Sequence, residues 1–326
     1  MGSGAIAEWR PGVLQMRGHQ LDLARRVAVM GILNATPDSF FDGGLYATTE
    51  TAIEHGLRLA AAGADLIDVG GDSAGGSAPQ IDSDEEIRRV VPVIRGLVRQ
   101  TKVPISIDTH RAATAAAALD AGAAMVNDIT GLGDPDMAPT VARGNAALCV
   151  MHIRGVPKQY PPDFDYGDVV GEVRAFLEER ARRAMDAGIS RKQLVVDPGI
   201  EFGKLLTHDL ELLRRLDELH ALRLPVLVAV SRKHFIGHIL RGVAQPDGGV
   251  SGREDERREN GGGVPPEERL EGTAAAITFA ITRGAHIVRV HDVREMVRVV
   301  RVAEALVGLR FSGPEARLRS DGVLVP

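Results

Sequence analysis

Eight short apolar runs, each separated from the next by a stretch of helical periodicity, constrain this chain more than any other feature. The runs are VAVMGILN (27–34), ADLIDVGG (64–71), VPISIDT (103–109), AAMVNDI (123–129), AALCVMH (146–152), QLVVDPG (193–199), PVLVAVSRK (225–233) and AHIVRVHD (285–292). They are continuously apolar and rich in β-branched residues, as strands buried on both faces of a parallel sheet must be. Helical spacing covers 48–62, 83–99, 111–121, 168–187, 208–220, 269–283 and 294–308, and the second of these opens with a Ser83-x-x-Glu86 capping box. Such alternation predicts an α/β fold, a (β/α)8 TIM barrel in a single domain, over an open doubly wound sheet.

Polar residues come last in each run: Asn34, Asp68 to Asp72, Asp108, Asn127, Met151-His152, Asp197, Lys233, and Arg289 with His291. In a parallel barrel those ends open onto one face, where loops build the active site. Two regions stand outside the pattern. Residues 1–20 read as an N-terminal arm that covers the barrel bottom, ahead of a barrel over 21–310 and a tail over 311–326. Residues 241–268 are rich in glycine, proline and charge, so they read as a flexible insertion between the seventh strand and its helix.

Aromatic residues make up only 4% of the chain, so aliphatic side chains and alanine must do most of the packing. The net charge is −5 with arginines scattered beside acids, which gives no basic stripe of the kind nucleic acid requires. No apolar stretch reaches the roughly 18 residues of a membrane span, and MGSGAIAEWRPG has no export signature. The lone cysteine, Cys149, lies inside an apolar run and suits a reducing compartment, so a cytoplasmic protein without a membrane partner is expected. The sequence has no HExxH, CxxC or paired-histidine zinc spacing, and the glycine-rich VGGDSAGGSAP lacks the Lys-Ser/Thr of a nucleotide loop.

Asp108, Asn127 and Asp197 would converge in the barrel mouth as a donor–acceptor cage for a flat, nitrogen-rich heterocycle. Lys233 and Arg289 supply positive charge for a carbonyl oxygen and a departing anion. His291 follows Arg289 at alternate spacing and shares its side of the strand. A structural ion pair between Arg289 and Asp197 at the rim is the plainer alternative, and His152 reads equally as a satisfied rim histidine or a ligand.

The chain resembles the dihydropteroate synthase family. GILNATPDSFFDGG at 31–44 is similar to the family's first signature, usually ILNVTPDSFSDGG, and the likeness continues through GADLIDVGG, ISIDT, VNDI, VMH, DPGIEFGK, VSRK and IVRVHDV, over about 21–310. The resemblance implies a homodimeric barrel that joins 6-hydroxymethyl-7,8-dihydropterin pyrophosphate to p-aminobenzoate and releases pyrophosphate. It implies that Asp108, Asn127, Met151, Asp197, Lys233 and Arg289 hold the pterin, with Asp108, Asp197, Lys233 and Arg289 serving the chemistry. Asn34, Arg289 and His291 would bind pyrophosphate, with Asn34 also meeting Mg2+, and the loop Thr36 to Gly44 would close over the leaving group. Phe202 and His234 would lie on the p-aminobenzoate side.

Three departures fall on that second-substrate side. Ala74, Gly75 and Gly76 stand where the family has Thr-Arg-Pro, Glu201 replaces a glycine, and His234 replaces a frequent serine. An altered p-aminobenzoate and sulfonamide pocket is therefore expected. Two other readings stay open: a pterin-binding paralogue with another second substrate or no synthase activity, and a methyltetrahydrofolate-dependent methyltransferase, against which SRK and RVHDV argue.

Overall fold

A computed structural model of the chain describes residues 9–35, 49–72, 81–160, 165–244, 263–309, 317–318 and 324–325. The apolar runs form eight parallel strands: β3 (Ala28–Asn34), β4 (Leu66–Gly70), β5 (Ile105–Asp108), β6 (Met125–Asp128), β7 (Ala147–Met151), β8 (Leu194–Asp197), β9 (Leu227–Val228) and β10 (Ile287–Val290). They pair in the order β8-β7-β6-β5-β4-β3-β10-β9. A parallel bridge between Val196 and Val226 joins the two ends, so the sheet closes as the (β/α)8 barrel that the sequence predicts.

Side-chain parity then divides the barrel into two cores. Val29, Ile67, Ile107, Val126, Leu148, Val196 and Val288 point outward against the helices, which include α1 (Thr49–Ala61), α2 (Ser83–Gln100), α3 (Ala112–Asp120), α4 (Met137–Arg143), α5 (Val169–Asp186) and α6 (Leu206–Arg214). Ala28, Met30, Leu66, Met125, Ala147, Cys149, Val195, Leu227 and Ile287 point inward. Because successive residues of a strand face opposite sides, the inward parity carries on to Asn34, Asp68, Asp108, Asn127, Met151, Asp197 and Arg289 at the strand ends. One register thus fills the barrel with apolar groups and lines its mouth with polar ones.

The opposite end is sealed by the arm. A hairpin of β1 (Val13–Met16) and β2 (His19–Asp22) sends Leu14, Met16, Leu21 and Leu23 into the inner core. Cys149 is part of that core, and its burial pushes the thiol well above the ordinary value, as an inert structural cysteine requires.

Several local readings need correction. Asp82, not Ser83, caps α2: its side chain accepts the Glu85 N–H at 2.8 Å. Glu86 is instead fully buried and receives Arg111 and Thr114 at 2.9 and 2.8 Å, so it serves tertiary packing rather than a capping box. The stretch 208–220 divides into α6 and a 3-10 turn, Leu216–Leu222. Helix α4 lies outside the helical spacing of the sequence because it is only seven residues long, contains Pro139 and is bounded by Asp136 and Gly144.

Helix α7 (His234–Ala244) also went unread, and it takes in the start of the expected insertion 241–268. The far end of that segment docks rather than hangs free: Val264 N–H donates to Gly237 O, and the Arg269 guanidinium bonds Val264 O at 2.7 Å and Arg232 O at 2.8 Å. Gly263 and Gly237 approach so closely that a Cβ on Gly263 would meet the Gly237 carbonyl carbon at 2.7 Å. Residues 245–262 lie outside the described residues. Helices α8 (Leu270–Thr282) and α9 (Val293–Leu306) complete the shell, and Arg317–Leu318 pairs antiparallel with Leu324–Val325 in the tail.

Candidate active site

The deepest part of the mouth is a charged cluster centred on Arg289. Its Nε donates to Asp68 Oδ2 and its Nη2 to Asp108 Oδ2, both at 2.7 Å, while Asn127 Nδ2 donates to the same Asp68 oxygen at 3.0 Å. The rim ion pair weighed for Arg289 and Asp197 therefore forms with Asp68 and Asp108 instead. Burial alone would lower the arginine's pKa, but these two carboxylates overcome it and raise it, so Arg289 is charged. Asp68 is fully buried, and its Oδ1 has no hydrogen-bond partner among the described residues. Its Oδ2 fixes both Arg289 and the Asn127 amide nitrogen. Asp68 was visible in sequence only as one polar strand end among several.

Asp108 lies opposite Asn127 in the register, and Met151 opposite Asp197. Burial pushes the Asp108 carboxyl up to about 7 despite the opposing charge of Arg289. Burial likewise raises Asp197 to about 6, against the Gly199 N–H that its Oδ1 accepts at 2.7 Å and the charge of Lys233. Two acids placed near neutrality in one cleft are the kind of perturbed groups that mark functional sites.

Lys233 Nζ donates to Ile200 O at 3.1 Å and lies 4.4 Å from the centroid of the Phe202 ring. The loop carrying Ile200 and Phe202 is itself pinned by Lys204, which sequence reading passed over. Buried Lys204 donates to Gly199 O at 2.7 Å and Phe202 O at 3.1 Å, and meets His152 Nδ1 at 2.8 Å. Burial lowers Lys204 to about 7, and burial together with that lysine lowers His152 to about 2. His152 is thus a structural acceptor at the rim rather than a ligand.

His291 is exposed at the rim, yet its ring is held down to about 4 by desolvation and then by Arg289 and Arg232. The Ser231 hydroxyl accepts the His291 backbone N–H at 3.1 Å and lies 3.0 Å from Nδ1 of the ring. In the tautomer whose Nδ1 accepts the Ser231 proton, Nε2 carries the hydrogen and is a donor suited to an anion.

On the other side of the mouth, two of the departures from the family pattern come together. Glu201 Oε1 accepts the Phe235 N–H at 2.7 Å, and Oε2 lies 3.3 Å from His234 Nδ1 and 4.0 Å from Lys233 Nζ. The third departure, Ala74 to Gly76, lies outside the described residues, as does the loop Thr36 to Gly44. Nearby, Asp72 bridges Arg111 and Lys158 at 2.9 Å each, tying the loop after β7 to the end of β4.

Asn34 ends β3 beside Gly70, and its amide oxygen is a hard donor suited to Mg2+. Among the described residues no group of three or more His, Cys, Asp or Glu is placed to hold a metal ion. A magnesium ion here would rest on Asn34, substrate oxygens and water, a common arrangement for that ion. No helix among the described residues is long and apolar enough to cross a membrane.

A closed (β/α)8 barrel with ionisable groups converging at the C-terminal ends of its strands defines an enzyme of the TIM-barrel class. More narrowly, the chain belongs to the pterin binding enzyme family, whose model matches residues 30–291. It is 41% identical over 302 residues to the dihydropteroate synthase of Synechocystis sp., covering 92% of this chain and 97% of that protein. The Yersinia pestis dihydropteroate synthase solved with a sulfonamide drug matches at 38% identity and TM-score 0.79, covering 90% of this chain and 98% of that one. The Xanthomonas albilineans dihydropteroate synthase with 4-aminobenzoic acid matches at 40% identity and TM-score 0.77, covering 91% and 100%.

Proposed function

We propose that this chain is a dihydropteroate synthase of folate biosynthesis, condensing 6-hydroxymethyl-7,8-dihydropterin pyrophosphate with an arylamine of the p-aminobenzoate type. The observation that carries this reading is the fixed cluster Arg289–Asp68–Asp108 beside Asn127 and Asp197, on a chain so similar to named synthases over nearly its whole length. The carboxylates of Asp108 and Asp197 accept the amino and ring N–H groups of a pterin, and the Asn127 carbonyl accepts one more. Lys233 serves the pterin carbonyl, and Met151 packs beside the ring. The Arg289 plane lies against the ligand, and the remaining Nη1 of Arg289, the Nε2 donor of His291 and Asn34 face the pyrophosphate.

In the reaction the methylene C–O bond breaks with its electron pair leaving on pyrophosphate. The pterin-stabilised cation is held by the Asp108 and Asp197 charges, the arylamine nitrogen forms the new C–N bond, and one proton is released. No protein nucleophile is needed. Mg2+, when bound, would neutralise charge on the leaving group. Phe202 and His234 flank the acceptor side.

Exposed Phe279 on α8 and exposed Val302 and Leu306 on α9 support a homodimer through these adjacent helices. The buried, unpaired thiol of Cys149 supports a cytoplasmic setting.

The test is a pyrophosphate-release assay with the pterin pyrophosphate, with and without p-aminobenzoate. Release that requires both substrates is the expected outcome. No release with any arylamine overturns the reading, and tight pterin binding without release would favour the paralogue, a reading kept in view by Glu201 and His234.

A further inference from the structure

Burying an amine is unfavourable, and Lys204 is buried. Desolvation works against its charge, while Asp209 and then Asp197 work for it. A chain that had only to fill this space would do so at lower cost with an apolar side chain of similar volume. What lysine adds is direction, because an ammonium has three donors and no acceptor. Here each donor has a partner: Gly199 O at 2.7 Å, Phe202 O at 3.1 Å and His152 Nδ1 at 2.8 Å.

Those partners belong to two neighbouring loops. Gly199 and Phe202 follow β8, and the Phe202 N–H closes back on Gly199 O at 3.1 Å, so both ends of this turn meet the same ammonium. His152 follows β7. The two loops touch backbone to backbone, with the His152 N–H donating to Asp197 O at 3.0 Å and the Arg154 N–H to Phe202 O at 3.4 Å. Gly199 and Gly203 both hold positive φ, and a β-carbon on either would collide with the carbonyl oxygen of His152 or of Arg154. Lys204 crosses this contact and ties the turn to the neighbouring loop. The turn in turn meets the mouth at three points. Its Gly199 N–H donates to Asp197 Oδ1 at 2.7 Å, its Ile200 carbonyl accepts Lys233 Nζ at 3.1 Å, and its Phe202 ring lies 4.4 Å from that same nitrogen.

We propose that Lys204 is a positioning residue for the arylamine acceptor: it sets the Phe202 ring and, through the Ile200 carbonyl, the Lys233 ammonium, while its own donors are all used within the protein. The inference rests on the condensation proposed above and divides that site in two. Asp108 and Asn127 are held through Arg289 and Asp68, a cluster that does not pass through Lys204. The pterin therefore keeps most of its contacts when Lys204 is lost, whereas the acceptor loses the wall on which it rests.

Lys204→Met in the full chain keeps the length of the side chain and removes its donors. The expected result is a KM for p-aminobenzoate raised about tenfold, the scale of one lost aromatic contact, with kcat within about threefold. Calorimetry with 6-hydroxymethylpterin should show affinity within about threefold of the unmodified chain. Added to Phe202→Ala, the same substitution should raise KM by less than about twofold more, because two residues that act through one contact are not additive. Lys204→Gln, which keeps a shorter donor, should fall between the two and serves in its place if the methionine variant does not fold. Full additivity with Phe202→Ala, an equal loss of pterin and acceptor binding, or an unchanged KM overturns the proposal. Hydrogen exchange of the amides of 199–205 requires no turnover: faster exchange in Lys204→Met supports the proposal, and unchanged protection overturns it. Absence of release by the unmodified chain with any arylamine would defeat the condensation reading, while exchange still decides whether Lys204 holds the turn.

Discussion

The two ends of the barrel are built from the same eight strands and the same parity, yet they are closed in opposite ways. At the bottom, the inward positions meet the hairpin side chains Leu14, Met16, Leu21 and Leu23, and closure is apolar burial. At the mouth, the inward positions two residues further along the strands are charged, and they are held by one another. The bottom contributes stability without specificity for a ligand. The mouth holds ionisable groups away from water in a fixed arrangement, and part of its hydrogen-bonding capacity is left for a substrate.

The sharpest way to break the mouth alone is Asp68→Ala. It leaves Arg289 on Asp108 alone and takes the acceptor from the Asn127 amide, and removing one partner of a buried pair costs about 3–5 kcal/mol. Pterin affinity should fall by at least about a hundredfold in calorimetry. Asp68→Asn, which keeps the shape, should lose less. If both variants bind a pterin like the unmodified chain, Asp68 does not organise the site.

Leu14→Ala is the complementary break at the bottom. Leu14 is 2% exposed, and truncating a buried leucine costs about 2–5 kcal/mol. Denaturant melts should show that loss, with pterin affinity unchanged within about twofold. A large loss of affinity would mean that the two ends are coupled through the inner core.

Acid should affect the two ends with opposite signs, in smaller steps. Asp108 and Asp197 have raised values near 7 and 6, so their contribution to stability is present at low pH and is lost as pH rises through those values. Pterin binding, which needs the ionised forms, should weaken a few-fold from pH 7.5 to 6, since one unit of pKa corresponds to about 1.4 kcal/mol. At the bottom, His286 is fully buried against Trp9 and His220, and both histidines are lowered, by burial first. Arg10 and the paired imidazole add to the lowering of His286, and Asp217 opposes that of His220. The unfolded chain protonates there before the native one, so this stability is present above about pH 6.5 and is lost as pH falls. His286→Leu should flatten the acid limb of a melting-temperature profile and leave the binding profile unchanged. An acid limb of equal slope in both proteins would show that His286 is not responsible.

The barrel and its polar mouth were legible because parity and strand ends are local properties, written into runs of seven or eight residues. Asp108, Asn127, Asp197 and Arg289 could be placed on one face by counting alone. Their partners could not. Arg289 and Asp68 are 221 positions apart, and nothing near either residue says which carboxylate the guanidinium meets. Lys204 was hidden for a similar reason, since a lysine in EFGK reads as solvated until the chain wraps three carbonyls around it. Glu201 and His234 were each noticed as departures, but only the fold shows that the two departures meet. Helix α7 was missed because its periodicity runs directly into the charged segment beyond it.

The close approach of Gly237 and Gly263, clasped by Arg269, has a consequence for descent. Once the two ends of a segment are buckled together, the barrel no longer registers how much chain lies between them. Doubling the length of such a span adds only about 0.6 kcal/mol of closure entropy. Insertions and deletions between positions 245 and 262 can therefore accumulate nearly neutrally, and lineages of this enzyme should vary in length there sooner than at any other crossing of the barrel. The same drift would stop at the buckle, where a methyl group on Gly263 would collide with the Gly237 backbone and one on Gly237 would displace the Arg269 guanidinium.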